Sequence, residues 1–299
     1  MKRLHTALWL FITVFMLFQS TSLSAEENKP LPWSVLPRVA QLGENQQAAF
    51  LDVLKSEQNY GGCRESVYDC LTITKPDRTA VRIANFGAYL VAKGVPPRSL
   101  GRLVSERANF AGLETISTFN YEETPSMGNP EAKITVTEFA EFKCPYCLSL
   151  SPLLKRLVEE SNGNVRFFFK HFPLKSHQGS ALASQAAQAA HRQEKFWEMY
   201  DRLFSDMNRH GMEDLIRHAS ELGLDVEKFK SDLEDPALIS IIERDKMEGI
   251  GANVTGVPTL FINGKNYYFR HDEAFLKDMI NEEAERLGIT PPYKEWRYQ

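Results

Sequence analysis

The sequence has no excess of basic residues. The 299-residue chain holds 35 Lys and Arg against 39 Asp and Glu. Removal of residues 1–25, which the N-terminal pattern predicts, would take away Lys2 and Arg3 and leave 33 basic against 39 acidic residues, a net charge of −6. Proteins that bind nucleic acid usually present clustered positive charge to its phosphates. We therefore expect no nucleic-acid partner.

Beyond residue 25 the sequence also lacks an apolar run of membrane length. The one strongly apolar segment of the chain lies before that point, at residues 7–18, and follows Lys2 and Arg3. It has 12 residues, whereas a membrane-spanning helix needs about 20. Small and polar residues ending at Ala25 come next. This pattern predicts a secretory signal peptide over residues 1–25, with an uncleaved membrane anchor as the alternative. We expect the protein to be periplasmic or otherwise exported, after cleavage of the signal peptide.

Cysteine is scarce, and this limits the metal sites that the chain can form. There are four cysteines in all, Cys63, Cys70, Cys144 and Cys147. A structural zinc site needs four ligands, and neither a second Cys-x-x-Cys motif nor a suitably spaced histidine pair accompanies the one at Cys144. We expect no metal and no cofactor. An even number of cysteines in an exported protein instead predicts two pairs.

The motif Cys144-Pro145-Tyr146-Cys147 stands between a strand pattern and a helix pattern. The apolar residues 134–140 precede it, and leucines at helical spacing follow it. A helix N-terminus offers free backbone N–H groups and the positive end of the helix dipole, and both stabilise a thiolate. We interpret Cys144 as an exposed redox nucleophile and Cys147, one turn into the helix, as its buried partner. Pro145 and Tyr146 would adjust the stability of the thiolate.

Residues 26–118 have a helical pattern and are predicted to form a small all-helical domain. Asp77 has the position of an N-cap, followed by an amphipathic helix that ends at Lys93-Gly94. Pro96-Pro97 then precede a further short helix. The domain boundary is placed after residue 118.

The other two cysteines, Cys63 and Cys70, lie in this helical region. The simplest interpretation is a structural disulfide, and closing so short a loop is worth about 2.5 kcal/mol in the loop-entropy model. The alternative is a second redox pair that exchanges electrons with Cys144. The sequence does not decide between them.

Residues 119–299 alternate strand and helix patterns, as α/β proteins do. Residues 121–133 show no periodicity and are predicted to be a linker. Strand patterns over residues 134–140 and 165–169 flank one helix, so a parallel crossover is expected. The remaining predicted elements are helices over residues 178–251, a strand that follows Gly256-Val257-Pro258, a turn at Asn263-Gly264 with a partner strand through Tyr267 and Phe269, and a terminal helix over residues 273–287.

Over about residues 119–290 this order of motifs resembles the DsbA-like branch of the thioredoxin superfamily. The shared features are Glu138 six residues before the CPYC motif, the strand-to-helix turn, the helical insertion, and Val257-Pro258-Thr259 followed by Asn-Gly. The resemblance implies an α/β fold: a thioredoxin fold with a helical insertion, preceded by the small all-helical N-terminal domain. It implies that residues 119–299 are the DsbA-like domain.

The resemblance also implies chemical roles for single residues. Cys144 would be the nucleophile, and Cys147 would resolve the mixed disulfide. Pro258, in the cis form and preceded by Val257, would lie against the active site and hold an extended substrate chain; an ordinary trans proline is the alternative. Glu138 would be the family's buried acid and relay the proton of Cys147; an exposed strand carboxylate is the alternative.

Three further polar residues lie close to these motifs in the sequence. Lys143, next to Cys144, is expected to be an exposed lysine or to add positive potential. His171 is expected to be a packed or surface histidine rather than a catalytic base. Glu141 is expected to be a solvated side chain.

The activity that the resemblance implies is that of a protein-disulfide oxidoreductase. It would act on cysteine-containing exported proteins with a membrane or periplasmic redox partner, in an oxidase-like direction. The alternatives are a disulfide isomerase or reductase with an N-terminal interaction domain, and a non-catalytic peptide-binding or chaperone module on the same fold. The direction of electron flow, the substrates and the oligomeric state do not follow from the sequence.

Overall fold

The structure is a computed structural model that describes residues 29–113 and 115–293. The predicted signal peptide, residues 1–25, lies outside the described residues. In the part of the chain that the structure describes, no helix is long and apolar enough to span a membrane.

Helices form the whole of the N-terminal region, as predicted. They are a short 3-10 turn at Trp33–Val35 and the α-helices α1 (Pro37–Ala40), α2 (Glu44–Ser56), α3 (Val67–Thr72), α4 (Arg78–Ala92) and α5 (Pro97–Ala111). Asp77 caps α4 as expected, because its carboxylate accepts a hydrogen bond from the backbone of Ala80. The prediction of a short helix after Pro96-Pro97 was wrong. That helix has 15 residues, because Val104, Ala108 and Phe110 continue its buried face.

Cys63 and Cys70 form a disulfide, with their Cα atoms 5.6 Å apart. Asp77 connects this disulfide to the start of α4. Its carboxylate accepts from the backbone N–H of Cys63 at 3.2 Å and from the Asn59 amide at 3.2 Å, and its own N–H donates to the carbonyl of Cys70 at 3.0 Å. One aspartate therefore joins the disulfide loop to α4.

A five-stranded mixed sheet follows. Its strands are β1 (Ser126–Gly128), β2 (Ile134–Ala140), β3 (Val165–His171), β4 (Thr259–Ile262) and β5 (Lys265–Tyr267), in the order β1-β3-β2-β4-β5. β2 and β3 run parallel, as the predicted crossover requires, and the other pairs are antiparallel. α6 (Pro145–Glu160) is the crossover helix, and α12 (Glu273–Arg286) follows β5.

Strand β1 was not predicted, since residues 121–133 show no periodicity and indicate a linker. Three residues are too few to show the alternation by which a strand is recognised. β1 forms because Ser126, Met127 and Gly128 pair with β3, a contact distant in the sequence. β3 is two residues longer than predicted, and β5 ends at Tyr267 rather than Phe269.

The predicted helical insertion lies between β3 and β4. It consists of α7 (Ser180–His191), α8 (Phe196–Ser205), α9 (Met212–Glu221), α10 (Val226–Leu233) and α11 (Pro236–Gly251). α8 directs a row of aromatic rings at the sheet. The ring of Tyr200 is 5.5 Å from that of Phe169 on β3 and 5.8 Å from that of Phe142, which follows β2. The insertion therefore covers one face of the sheet beside the CPYC motif.

The helical N-terminal region packs against the β5 and α12 side of the sheet. The fully buried guanidinium of Arg107 on α5 forms ion pairs with Asp278 at 2.8 Å and Glu282 at 2.9 Å, both on α12. The rings of Phe86 and Phe110 each lie 6.0 Å from that of Phe269. The two regions share one hydrophobic core. The boundary after residue 118 stays a prediction.

We predict that Asp77→Ala destabilises the protein more than the loss of an ordinary helix cap does. The change removes the cap of α4 together with the bonds to Asn59 and Cys63, so we expect a loss of about 2–3 kcal/mol in the free energy of unfolding. Asp225→Ala is the matched control, because the exposed Asp225 side chain caps α10 through Lys228; it should cost about 1 kcal/mol. Urea unfolding measures both. Equal losses would contradict the joint role of Asp77.

Candidate active site

The CPYC motif lies at the carboxyl end of β2, between β3 and β4. β2 ends at Ala140, and α6 begins at Pro145 with Cys144 as its N-cap residue. Proline suits the first position of a helix, because the N–H that it lacks would have no partner inside the helix. The backbone N–H groups of the first turn remain directed at the N-cap position. The helix start that the sequence predicts is therefore present.

Both cysteines of the motif are free thiols in this structure, and both are buried. The prediction that Cys144 is exposed was wrong, since only 4% of the residue is accessible. Its sulfur lies 3.5 Å from the backbone carbonyl of Val257, so the segment before Pro258 covers it. Cys147 is fully buried, as predicted, while Tyr146 between them is 72% exposed.

The surroundings lower the pKa of Cys144 and raise the pKa of Cys147. The S–H group of Cys147 donates to the Cys144 sulfur and lowers the pKa of Cys144 to about 6; the backbone N–H groups of Cys147 and Tyr146 act in the same direction, and burial opposes them. Burial raises the pKa of Cys147, and its bond to Cys144 and the charge of Glu138 raise it further. At neutral pH the pair therefore holds one thiolate, on Cys144, and one thiol.

Glu138 lies in the middle of β2 and is fully buried. An exposed strand carboxylate, the alternative to the buried acid, is excluded by this burial. Burial raises the pKa of Glu138 to about 8, and the Cys144 charge adds to the increase. Neither carboxyl oxygen has a hydrogen-bond partner among the described residues. The acid is therefore mostly neutral at pH 7 while Cys144 is ionised.

Tyr200 in the helical insertion lies close to this acid, and nothing in the sequence pointed to it. It is fully buried. Glu138 is paired in register with Phe169, against which the Tyr200 ring packs, so Glu138 and Tyr200 are on the same face of the sheet. Burial raises the pKa of Tyr200, and the charge of Glu138 raises it further. In the sequence, its position on the apolar face of α8 indicates packing against the core and nothing more.

The prediction that Glu141 is solvated was wrong, because this side chain is fully buried. One carboxylate oxygen accepts from the backbone N–H of Lys143 at 3.0 Å and from the Ser180 hydroxyl, and the other contacts the Nδ1 atom of His177. His177 and Ser180 lie at the start of the helical insertion. The insertion thus covers a side chain that follows directly after β2.

Pro258 lies beside the motif, at the start of β4. The Val257–Pro258 peptide bond is cis, which confirms the predicted isomer over the trans alternative. Both residues are half-buried, and the Val257 carbonyl faces the Cys144 sulfur. The structure thus brings Val257-Pro258 next to Cys144 and Cys147, although more than a hundred residues separate the two segments in the sequence.

Lys143 and His171 have structural contacts. The Lys143 ammonium donates to the carbonyl of Met207 at 2.7 Å, so the lysine is tied to the insertion and half-buried. His171 is fully buried, with its Nε2 atom 3.2 Å from the Gln188 side chain. Burial lowers the pKa of His171 to about 4. It is a neutral, packed histidine, which confirms the expectation.

A family model described as Thioredoxin matches residues 120–282, more than half of the chain. The chain belongs to this thioredoxin family. The predicted fold class, a thioredoxin fold with a helical insertion after a helical N-terminal region, is confirmed.

Solved structures agree with this family. A thioredoxin-like oxidoreductase from Silicibacter pomeroyi DSS-3 is 27% identical with a TM-score of 0.51, covering 55% of this chain and 93% of that one. The catalytic domain of Proteus mirabilis ScsC has a TM-score of 0.50 at 20% identity, covers 56% of this chain and 91% of its own, and shows the fold alone. The predicted enzyme class, protein-disulfide oxidoreductase, is consistent with the first of these.

Curated relatives of this thioredoxin-family chain match over one part of their length. A Na(+)/H(+) antiporter NhaA 3 of Salinispora tropica is 36% identical over 142 residues, which are 47% of this chain and 22% of the relative. A Na(+)/H(+) antiporter NhaA of Herminiimonas arsenicoxydans is 32% identical over 161 residues, 54% of this chain and 25% of the relative. The chain spans about a quarter of the length of these relatives.

Within residues 29–113 and 115–293, no three His, Cys, Asp or Glu side chains are grouped so that they could hold a metal ion. The site of this thioredoxin-family chain brings together two thiols, a buried acid, a tyrosine and a proline segment. These groups are suited to thiol–disulfide exchange, because one sulfur is ionised and its neighbour keeps a proton.

We predict that Glu138→Gln stabilises the reduced protein at alkaline pH and has no effect at acidic pH. The folded pKa of about 8 is above the ordinary value. Between about pH 4.5 and 8 the unfolded chain therefore loses a proton that the folded chain keeps, and stability falls as pH rises. Glutamine cannot ionise, so the variant should gain on the order of 2–4 kcal/mol over wild type at about pH 8, and nothing at about pH 4.

Denaturant unfolding at several pH values measures this difference under reducing conditions. Glu131→Gln, the same change at an exposed glutamate, is the control and should follow wild type. A constant difference between Glu138→Gln and wild type at all pH values would contradict the raised pKa of Glu138.

Proposed function

We propose that the chain is an exported thiol:disulfide oxidoreductase that exchanges disulfides with protein substrates through Cys144 and Cys147. The observation that carries the proposal is the asymmetry of the two thiols. Cys144, at the N-cap of α6, has its pKa lowered to about 6, while Cys147 is fully buried and keeps its proton. A stabilised thiolate is a good leaving group, and a disulfide is broken fastest when its leaving sulfur has a low pKa.

The oxidising reaction starts from the Cys144–Cys147 disulfide. A substrate thiolate attacks the sulfur of Cys144, the Cys144–Cys147 bond breaks, and the electron pair leaves on Cys147, which takes up a proton. The second substrate thiolate then attacks the substrate sulfur of the mixed disulfide. Cys144 leaves as the thiolate. The substrate has lost two electrons and two protons and gained a disulfide; the enzyme has gained two electrons and one proton, and the other proton passes to solvent.

Glu138 is placed to supply and accept the proton of Cys147. It is neutral when Cys144 is ionised, and it interacts electrostatically with both cysteines. A neutral carboxyl can donate to the leaving Cys147 sulfur, and a carboxylate can take the proton back when Cys147 attacks. Tyr200, on the same face of the sheet, gives this buried acid a polar neighbour.

The segment Val257-Pro258 is the proposed substrate contact. The Val257 carbonyl lies 3.5 Å from the Cys144 sulfur, so a chain joined to Cys144 must pass along this segment. Proline has no N–H of its own, and an extended chain can pair only with the free groups of its neighbours. Cysteine-containing exported proteins are the proposed substrates. A membrane or periplasmic partner would accept the two electrons and restore the disulfide.

The stabilised thiolate favours an oxidase-like direction. A pKa of about 6, compared with about 8.5 for a free cysteine, stabilises the reduced form about ten-fold at pH 7 and raises the potential by about 30 mV.

Antiporter activity is not proposed, because the match covers only 22% and 25% of the two antiporters.

We predict that Cys147→Ala traps a mixed disulfide when the Cys144 thiolate attacks a substrate disulfide, because the Cys147 thiol that would attack the Cys144 sulfur and release the substrate is absent. Adducts should be visible by non-reducing gel electrophoresis of cells that express the variant and should disappear on reduction. The control is Cys144→Ala with Cys147→Ala, which should form no adduct. Trapping that is equal in the control, or absent from both, would contradict the proposal, and full cellular function of Cys144→Ser would favour a non-covalent binding module.

The direction of electron flow is predicted separately, from the reduction potential of the Cys144–Cys147 pair in glutathione buffers. We expect a value above about −270 mV, that of thioredoxin, and shifted toward about −120 mV, that of the strong oxidant DsbA; the stabilised thiolate accounts for about 30 mV of this increase. A value at or below that of thioredoxin would contradict the oxidase-like direction and favour a reductase. Cys63→Ala with Cys70→Ala should leave the potential unchanged if that disulfide is structural.

A further inference from the structure

Glu141 is a buried anion close to the thiolate, and the exchange steps make no use of it. Its carboxylate is fully buried and lies three residues before Cys144. The carboxylate folds back on the turn that carries the cysteine, because it accepts from the backbone N–H of Lys143 at 3.0 Å. The backbone N–H of Cys144 approaches the Glu141 carbonyl at 3.5 Å. A negative charge here opposes a second negative charge on Cys144 and raises the pKa of Cys144 against the bonds that lower it.

One titratable side chain contacts this carboxylate directly. The Nδ1 atom of His177 touches the Glu141 oxygen that Lys143 and Ser180 leave free, and 34% of the His177 side chain is exposed. The histidine can therefore exchange a proton with solvent, while the carboxylate it contacts cannot.

We propose that Glu141 and His177 are positioning residues that control the charge facing Cys144. When His177 is protonated, it cancels the Glu141 carboxylate and the thiolate is favoured; when His177 is neutral, the carboxylate acts on the thiolate uncompensated. The inference rests on the proposed function, since it concerns the potential of the same pair. Reduction adds two electrons and one proton to the disulfide, giving the Cys144 thiolate and the Cys147 thiol.

Two lysines and a second histidine around this pair are held in place by hydrogen bonds of their own. The Lys143 ammonium is bound to the Met207 carbonyl, and the Lys246 ammonium to the carbonyl of Pro173 on the same loop as His177. His210 lies beside Gly179, with its Nε2 atom at 2.9 Å from the Leu203 carbonyl, and burial lowers the pKa of His210. Lys175, two residues before His177, is exposed to solvent. Among these groups His177 is the one whose side chain contacts the Glu141 carboxylate.

The test is a double-mutant cycle on the reduced full chain, in which the ultraviolet absorbance of the thiolate gives the pKa of Cys144. His177→Gln should raise this pKa by about 0.5–1 unit, because the carboxylate loses its positive partner. Glu141→Gln should lower it. In the Glu141→Gln background, His177→Gln should have less than a third of its effect in wild type, since the histidine acts through the carboxylate.

His191→Gln is the matched control. It is the same change in the helical insertion, at a half-buried histidine whose ring packs on Phe196, and it should leave the pKa of Cys144 unchanged. An unchanged pKa in His177→Gln, or the same shift with and without Glu141, would overturn the proposal. Trapping by Cys147→Ala tests the proposed function independently, so either can fail while the other stands.

The reduction potential of His177→Gln provides a second readout that needs no change at the buried Glu141. At pH 7 the variant should be about three- to five-fold less oxidising than wild type against glutathione, or about 15–20 mV lower. A potential of His177→Gln equal to that of wild type would overturn the proposal.

Discussion

The active site depends on one hydrogen bond, from the S–H group of Cys147 to the thiolate of Cys144. The bond requires that the two sulfurs carry only one negative charge between them, and the surroundings enforce this. Backbone N–H groups at the start of α6 favour the charge on Cys144, and complete burial opposes a charge on Cys147. Glu138 satisfies the same condition, because burial keeps it mostly neutral while the thiolate is present. A thiolate, a thiol and a carboxylic acid can therefore share a buried site.

The helical insertion contributes to this site as well as covering the sheet. It brings Tyr200 to the face of the sheet that carries Glu138, and it brings His177 and Ser180 to the carboxylate of Glu141. The Lys143 ammonium is bound to the insertion through Met207. The turn that carries Cys144 is thus held from the strand on one side and from the insertion on the other. With a short loop in place of the insertion, Glu138 would lose its neighbour Tyr200. Glu141 would lose its contacts with His177 and Ser180.

Much of the fold follows from local sequence patterns. The strand at 134–140, the helix after the CPYC motif and the Asp77 cap could be predicted because each depends on neighbours within a few residues. β1 could not, since its three residues form a strand only by pairing with β3. The burial of Cys144 was missed for a similar reason, because the segment that covers it is more than a hundred residues away.

Polar residues near the motif were the hardest to predict. A glutamate just after a strand normally points to solvent, and only the arrival of the insertion at residues 177–180 buries Glu141. Tyr200 lies on the buried face of an amphipathic helix, so its sequence position indicates packing alone. Pro258 was placed correctly because a family resemblance supplied a contact that spacing could not.

The most direct test of this account is the pH dependence with which the reduced protein reacts with an alkylating agent, followed residue by residue by mass spectrometry. If the two sulfurs share one negative charge, Cys144 alone is alkylated. After correction for the limited access to the Cys144 sulfur, its alkylation rate reaches half of the maximum near pH 6. Cys147 stays unmodified throughout the range in which the protein is folded. A Cys144 midpoint near about 8.5, the value of a free cysteine, or equal modification of both cysteines, would contradict it.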